Sequence, residues 1–210
     1  SIDLAKSSLA LPEPDLSDIV KRYGGVGADL NRDEDYIVVM QHPVTSEHEA
    51  ALDQINQTIS AVHESGMQAL WFWPNPDAGS DGTSRGIRRF REHSPDNRIH
   101  FFKNMEPEVF LTVLRRARCI VGNSSVAIRE CAFLGVPAVN IGSRQAKRQR
   151  GRNVIDTPHE GARILYAIQT HLRRSDRFDE DHIYGAGDAG EQIADAIRQM
   201  DLIFQKQMTY

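Results

Sequence analysis

Two periods of hydrophobic positions alternate along the middle of the chain. Asp35-Tyr36-Ile37-Val38-Val39-Met40 is a short β-branched run, the pattern of a strand buried on both faces. Across residues 46–64 the apolar positions Leu52, Ile55, Ile59 and Val62 fall three, four and three apart, the stripe of an amphipathic helix. Ser46 with Glu49 predicts a capping box at its start, and Gly66 predicts its stop. The alternation then repeats. Residues 67–73, 98–103, 119–121 and 137–141 read as strands. Residues 84–93, 106–117 and 124–134 read as helices, as does the stretch around Ile164, Leu165, Ile168 and Leu172. Asn153-Val154-Ile155 is a candidate sixth strand.

Strands alternating with helices specify βαβ units and a parallel sheet covered on both faces. The expected fold class is therefore α/β, with one Rossmann-like, doubly wound domain over residues 33–187. Residues 188–204 predict a terminal helix with Ile193, Ile197, Met200 and Phe204 on one face, after the break Tyr184-Gly185-Ala186-Gly187.

Composition narrows the function classes. A chain of 210 residues can bury a core without staples. Its 25 Lys and Arg against 29 Asp and Glu give a net charge of −4, which offers nucleic acid no global basic field. No apolar run approaches the roughly 18 residues that span a bilayer, so no membrane partner is expected. Cys119 and Cys131 lie in apolar stretches without CxxC spacing. That excludes a disulfide framework and points to a reducing compartment, with the cytoplasm as the expected location. The sequence holds neither an HExxH-type metal motif nor a GxGxxG loop.

In open parallel sheets, ligands bind beyond the carboxyl ends of the strands. Five polar stretches share that predicted rim: residues 41–45, 74–79, 103–105, 122–125 and 142–145. Gly122-Asn123-Ser124-Ser125 joins a strand to a helix N-terminus, where free N–H groups and the positive helix end make an anion site. Plain capping by Asn123 or Ser124 explains the same residues equally well. Glu130, just under two turns further on, has the Rossmann precedent of a carboxylate on ribose hydroxyls; pairing with Arg129 is the plainer alternative. His42, one residue past a strand, suits a phosphate or a proton, although lone histidines are more often structural. Asn75 contacts a nucleotide or fixes its own turn. Residues 144–152 carry five basic side chains in nine, a solvated face or a site for a phosphorylated ligand.

In this order, these stretches resemble the UDP-N-acetylglucosamine 2-epimerase family, most closely the hydrolysing branch that feeds sialic-acid-type sugar synthesis. The resemblance rests on HPVTSE from His42, PNPDAGS from Pro74, GNSSVAIRE from Gly122, GVPAVNIGSRQAKRQRGRNV from Gly135 and IYGAGDAGEQIADAI near the end. It covers about residues 1–200. HPVT in place of an HRREN-like form points to hydrolysis. The resemblance implies the C-terminal, nucleotide-binding domain of a GT-B-like fold, a ligand that is UDP-N-acetylglucosamine or a related UDP-sugar, and no metal or nicotinamide cofactor. It implies that Ser124 and Ser125, with Gly122 and Asn123, bind the diphosphate and that Glu130 binds the ribose. By the same resemblance, His42 and Arg144 lie against the diphosphate or nearby catalytic groups. Asn75 lies near the nucleotide, and the backbone of Asn104 and Met105 borders the uracil.

The implied reaction eliminates UDP to give 2-acetamidoglucal, then adds water to give N-acetylmannosamine. Its acid–base carboxylates would come from an N-terminal domain that this chain does not match. Residues 1–32 accordingly read as interdomain linker and connecting helix, and residues 188–210 as a helix crossing back to the missing domain. Alone, the chain is expected to bind UDP-sugar without turning it over. The competing readings are the donor domain of a GT-B glycosyltransferase and a free-standing UDP-sugar-binding module. Homo-oligomerisation stays open.

Overall fold

Strands β1 (Val26–Gly27), β2 (Tyr36–Met40), β3 (Gln68–Phe72), β4 (Ile99–Phe102), β5 (Ile120–Gly122), β6 (Ala138–Ile141) and β7 (Val154–Thr157) form one sheet. The computed structural model describes residues 1–94 and 98–200. The strand order is β1-β4-β3-β2-β5-β6-β7, and every pairing is parallel except β1 with β4. The chain builds outward from β2 through β3 to β4, crosses back to β5 beside β2, and builds outward again. That places the topological switch point, where doubly wound sheets bind ligands, between the ends of β2 and β5.

The strands are apolar on both sides because both sides are covered. Tyr36 and Val38 of β2 pack with α1 (Ile2–Ser8), α2 (Leu16–Tyr23), α5 (Pro107–Arg116) and α6 (Glu130–Phe133). The alternate residues Ile37 and Val39 pack with α3 (Ala51–Glu64), α4 (Ser80–His93) and α7 (Gly161–Leu172). The two cysteines fall in these opposite layers, Cys131 in the first and Cys119 in the second, both free and buried. Among the described residues, no helix is long and apolar enough to cross a membrane.

Several expectations change. Residues 1–32 are built into the domain: Ile2, Ala5, Leu16 and Ile19 join the core, and β1 extends the sheet edge. Two residues carry no readable period, and β1 forms through a close approach. Gly27 sits at φ 127°, where a Cβ would lie 2.2 Å from the Ile99 carbonyl oxygen of the neighbouring strand. The Ser46 capping box does not form. A 3-10 turn occupies Thr45–Ala50 without a side-chain cap, and α3 begins at Ala51. The helix expected over residues 124–134 is broken into a 3-10 turn, Ser125–Ala127, and the short α6. The terminal helix α8 (Ala189–Gln199) touches α1, with Gly190 N–H on the Asp3 carboxylate at 3.3 Å. Its Ile193 and Ile197, and Met200 just beyond, face solvent. Phe204 lies outside the described residues.

Candidate functional site

Asn123, fully buried, stands at the switch point. Its Oδ1 accepts from the His42 N–H and its Nδ2 donates to the His42 carbonyl, both at 2.8 Å. Its own N–H donates to Met40 O at 3.2 Å. Its carbonyl accepts from Gln145 Nε2 at 2.8 Å and Arg144 Nη1 at 3.3 Å. The side chain expected to meet the ligand is thus wholly engaged in splicing the loops after β2 and β5. Gly122 has a structural duty as well. It sits at φ 141°, and a Cβ there would lie 2.1 Å from Met40 O. The close approach that selects glycine here is strand to strand.

His42 is 7% exposed. Its Nδ1 faces the Asn75 N–H at 3.2 Å. A backbone amide can only donate, so Nδ1 accepts and the ring proton sits on Nε2. Burial, and then the neighbouring Arg144 charge, push the His42 pKa down to about 4 against a smaller opposing pull from Asp77. At neutral pH the ring is therefore uncharged and offers one Nε2–H donor.

Ser124 caps the turn after β5, its Oγ accepting from Val126 N–H at 3.4 Å. The first N–H groups of any helical turn lack partners within it. The macrodipole expected here is small, however. Three residues of 3-10 turn and four of α6 do not align enough peptide dipoles. Anion binding at this point would fall to individual N–H groups, the hydroxyls of Ser124 and Ser125, and Arg144. The two pieces are separated by a turn at Ile128 and Arg129, and Arg129 Nη2 donates to Glu130 Oε1 at 3.0 Å. Glu130 is 6% exposed, and its second oxygen, Oε2, is buried with no partner.

Met105 buries its side chain in the core, leaving only its backbone for the rim, while Asn104 beside it is exposed. Hydrogen bonds join His42, Asn75, Asn123 and Arg144 into one group; the Glu130 side chain bonds to Arg129 instead, and Asn104 and Met105 follow the end of β4. Two participants had no role assigned from the sequence, although Gln145 lay in the 142–145 rim stretch. Gln145, 3% exposed, holds the Asn123 carbonyl, and Glu47 accepts from Ser143 Oγ. Their signal was their place inside the GSRQ and HPVTSE stretches. Elsewhere, a cleft of about 650 Å³ bounded by Arg152, Arg177 and Asp181 opens at the opposite end of the sheet, lined by none of the rim residues.

A family profile described as UDP-N-acetylglucosamine 2-epimerase matches residues 10–198. The chain belongs to that family. It is 31% identical over 167 residues to UDP-N-acetylglucosamine 2-epimerase of Neisseria meningitidis serogroup B, covering 78% of this chain and 43% of that protein. It is 29% identical over 182 residues to a UDP-N,N'-diacetylbacillosamine 2-epimerase (hydrolyzing) of Legionella pneumophila, covering 87% of this chain and 46% of that one. The chain thus spans about half the length of these curated relatives. The crystal structure of the Neisseria meningitidis epimerase bound to UDP-GlcNAc superposes with a TM-score of 0.69 at 15% identity. That match covers 95% of this chain and 53% of that one, and establishes the shared fold of a GT-B-like half.

Proposed function

We propose that this domain binds the UDP portion of UDP-N-acetylglucosamine or a related UDP-sugar, as the nucleotide-binding half of a hydrolysing 2-epimerase. The observation that carries this reading is the Glu130 carboxylate. One of its oxygens is buried without a partner, at the start of α6, eight residues past the carboxyl end of β5. An unsatisfied buried acceptor costs about 1–3 kcal/mol or more. Ribose hydroxyls are the donors that would relieve it, as carboxylates do for ribose in related sheets.

The chemistry follows from where charge develops. Breaking the bond from anomeric carbon to oxygen leaves negative charge on the diphosphate. Donors already in place stabilise it without reorganising: the N–H groups and hydroxyls at Ser124 and Ser125, the Arg144 guanidinium and the Nε2–H of His42. Loss of the C2 proton with the departing UDP forms the C1–C2 double bond. Water then returns a hydroxyl to C1 and a proton to the opposite face of C2, inverting that centre. The acid and base for these proton transfers are assigned to the half of the relatives that this chain does not match.

Calorimetric titration with UDP tests the reading. UDP is expected to bind, and Glu130→Ala to weaken it by about 1–3 kcal/mol. Unchanged affinity in that variant refutes the ribose assignment, and no binding at millimolar UDP refutes the reading as a whole.

A further inference from the structure

The turn after β6 carries Arg144 and Gln145 to the Asn123 carbonyl, and something must hold that turn. Glu47, half-buried in the segment after β2, accepts from Ser143 Oγ through Oε1 and from Gln54 Nε2 at 2.7 Å through Oε2. Both hydrogen bonds, Ser143's the stronger, hold its carboxyl below the usual carboxylate range, so it is anionic at neutral pH. On the other side, Gly142 (φ 71°) approaches the His159 ring so closely that a Cβ there would sit 2.2 Å from Nε2. The turn is clamped between a carboxylate from the β2 loop and an imidazole from the loop after β7. Arg144, the residue next to the clamped serine, makes a single long bond to Asn123 O. Most of its guanidinium donors therefore remain for a ligand.

We propose that Glu47 is a positioning residue of the nucleotide site, acting through Ser143 to aim Arg144 at the diphosphate. This rests on the UDP-binding reading above. A carboxylate that only decorated the surface would not close a circuit. The path Glu47–Ser143–Arg144–Asn123–His42 leaves the β2 loop, passes through the loops after β6 and β5, and returns to the β2 loop. Losing the charge-assisted bond from Ser143 frees the turn without unseating the core beneath it.

The test is calorimetric titration of the 210-residue chain with UDP and, separately, with uridine, which lacks the diphosphate. Glu47→Ala is expected to weaken UDP about 10- to 100-fold, in line with the loss of a hydrogen bond to a charged group. Ser143→Ala, which breaks the same bond from the other side, is expected to match it. Glu47→Gln keeps an acceptor for the serine and is expected to stay within about 2-fold of wild type. Uridine affinity holds throughout. In an Arg144→Ala background, Glu47→Ala is expected to cost nothing further, since it acts through that arginine. Unchanged UDP affinity in Glu47→Ala overturns the proposal. So does an equal loss for uridine, or an undiminished loss in the Arg144→Ala background. A wild-type chain that binds no UDP overturns the parent reading instead, and this one with it.

Discussion

Acidification places the buried neutral His42 under direct strain. Its pKa falls from 6.5 to about 4 on folding, chiefly through burial, with the Arg144 charge adding to the effect. Between those two values the unfolded chain takes up a proton that the folded ring refuses, so protons drive unfolding. The contribution is fully present above about pH 6.5, is lost as pH falls, and levels off below about pH 4. Each unit of pKa difference corresponds to about 1.4 kcal/mol, so the loss is about 3 kcal/mol in all. Protonation also puts a hydrogen on Nδ1, which then faces the Asn75 N–H it previously accepted. The informative comparison is His42→Asn, whose Oδ1 can take over that acceptor role without titrating. Urea unfolding at a series of pH values from 8 to 4 gives the stability of each protein. Burial also holds His159 and His171 below the usual range, but they remain in both proteins and cancel in the difference. Wild type is expected to lose about 3 kcal/mol more than the variant between pH 6.5 and 4. Parallel curves across that window would refute the assignment of His42 as a ring held neutral by burial.

Two further substitutions separate scaffold from site. Gly122→Ala forces a Cβ against Met40 O at a φ of 141°, and chemical denaturation is expected to show a loss of about 3 kcal/mol or more. Asn123→Ala orphans the buried N–H and carbonyl of His42, and the same measurement is expected to show a loss of about 2–4 kcal/mol; a loss under about 0.5 kcal/mol would mean water replaces the amide.

The sheet was legible because covering on both faces writes itself into strands as unbroken apolar runs. Five strands and the sixth candidate stand where the apolar clusters at Ile37, Leu70, Ile99, Ile120, Val139 and Ile155 predict. The edge strand β1 was not legible, since two residues hold no period and their pairing is enabled by a glycine contact with a strand some seventy residues away. The first 32 residues looked like linker for a related reason. Their buried positions Ile2, Ala5, Leu16 and Ile19 are sparse, spread over two short helices, and set among polar residues.

The site was legible in position and less so in role. Chain order and the rim rule were enough to find His42, Asn75, Asn123 and Arg144, because a parallel sheet delivers every strand's C-terminal residues to one edge. They could not say whether a polar side chain at that edge points at a ligand or at another loop. Asn123 shows why: the open pairing requirements of two adjacent loop backbones are as strong a demand for an amide as any ligand. A continuous helix from Ser124 would offer a larger dipole. The observed break instead turns Arg129 back onto Glu130 and leaves one carboxylate oxygen buried and unpaired. Arg129 Nε is likewise buried and unpartnered. Under the proposed reading, that free acceptor on Glu130 is what a ribose hydroxyl donates to, whereas both polar atoms of the Asn123 side chain already have partners in the loop after β2.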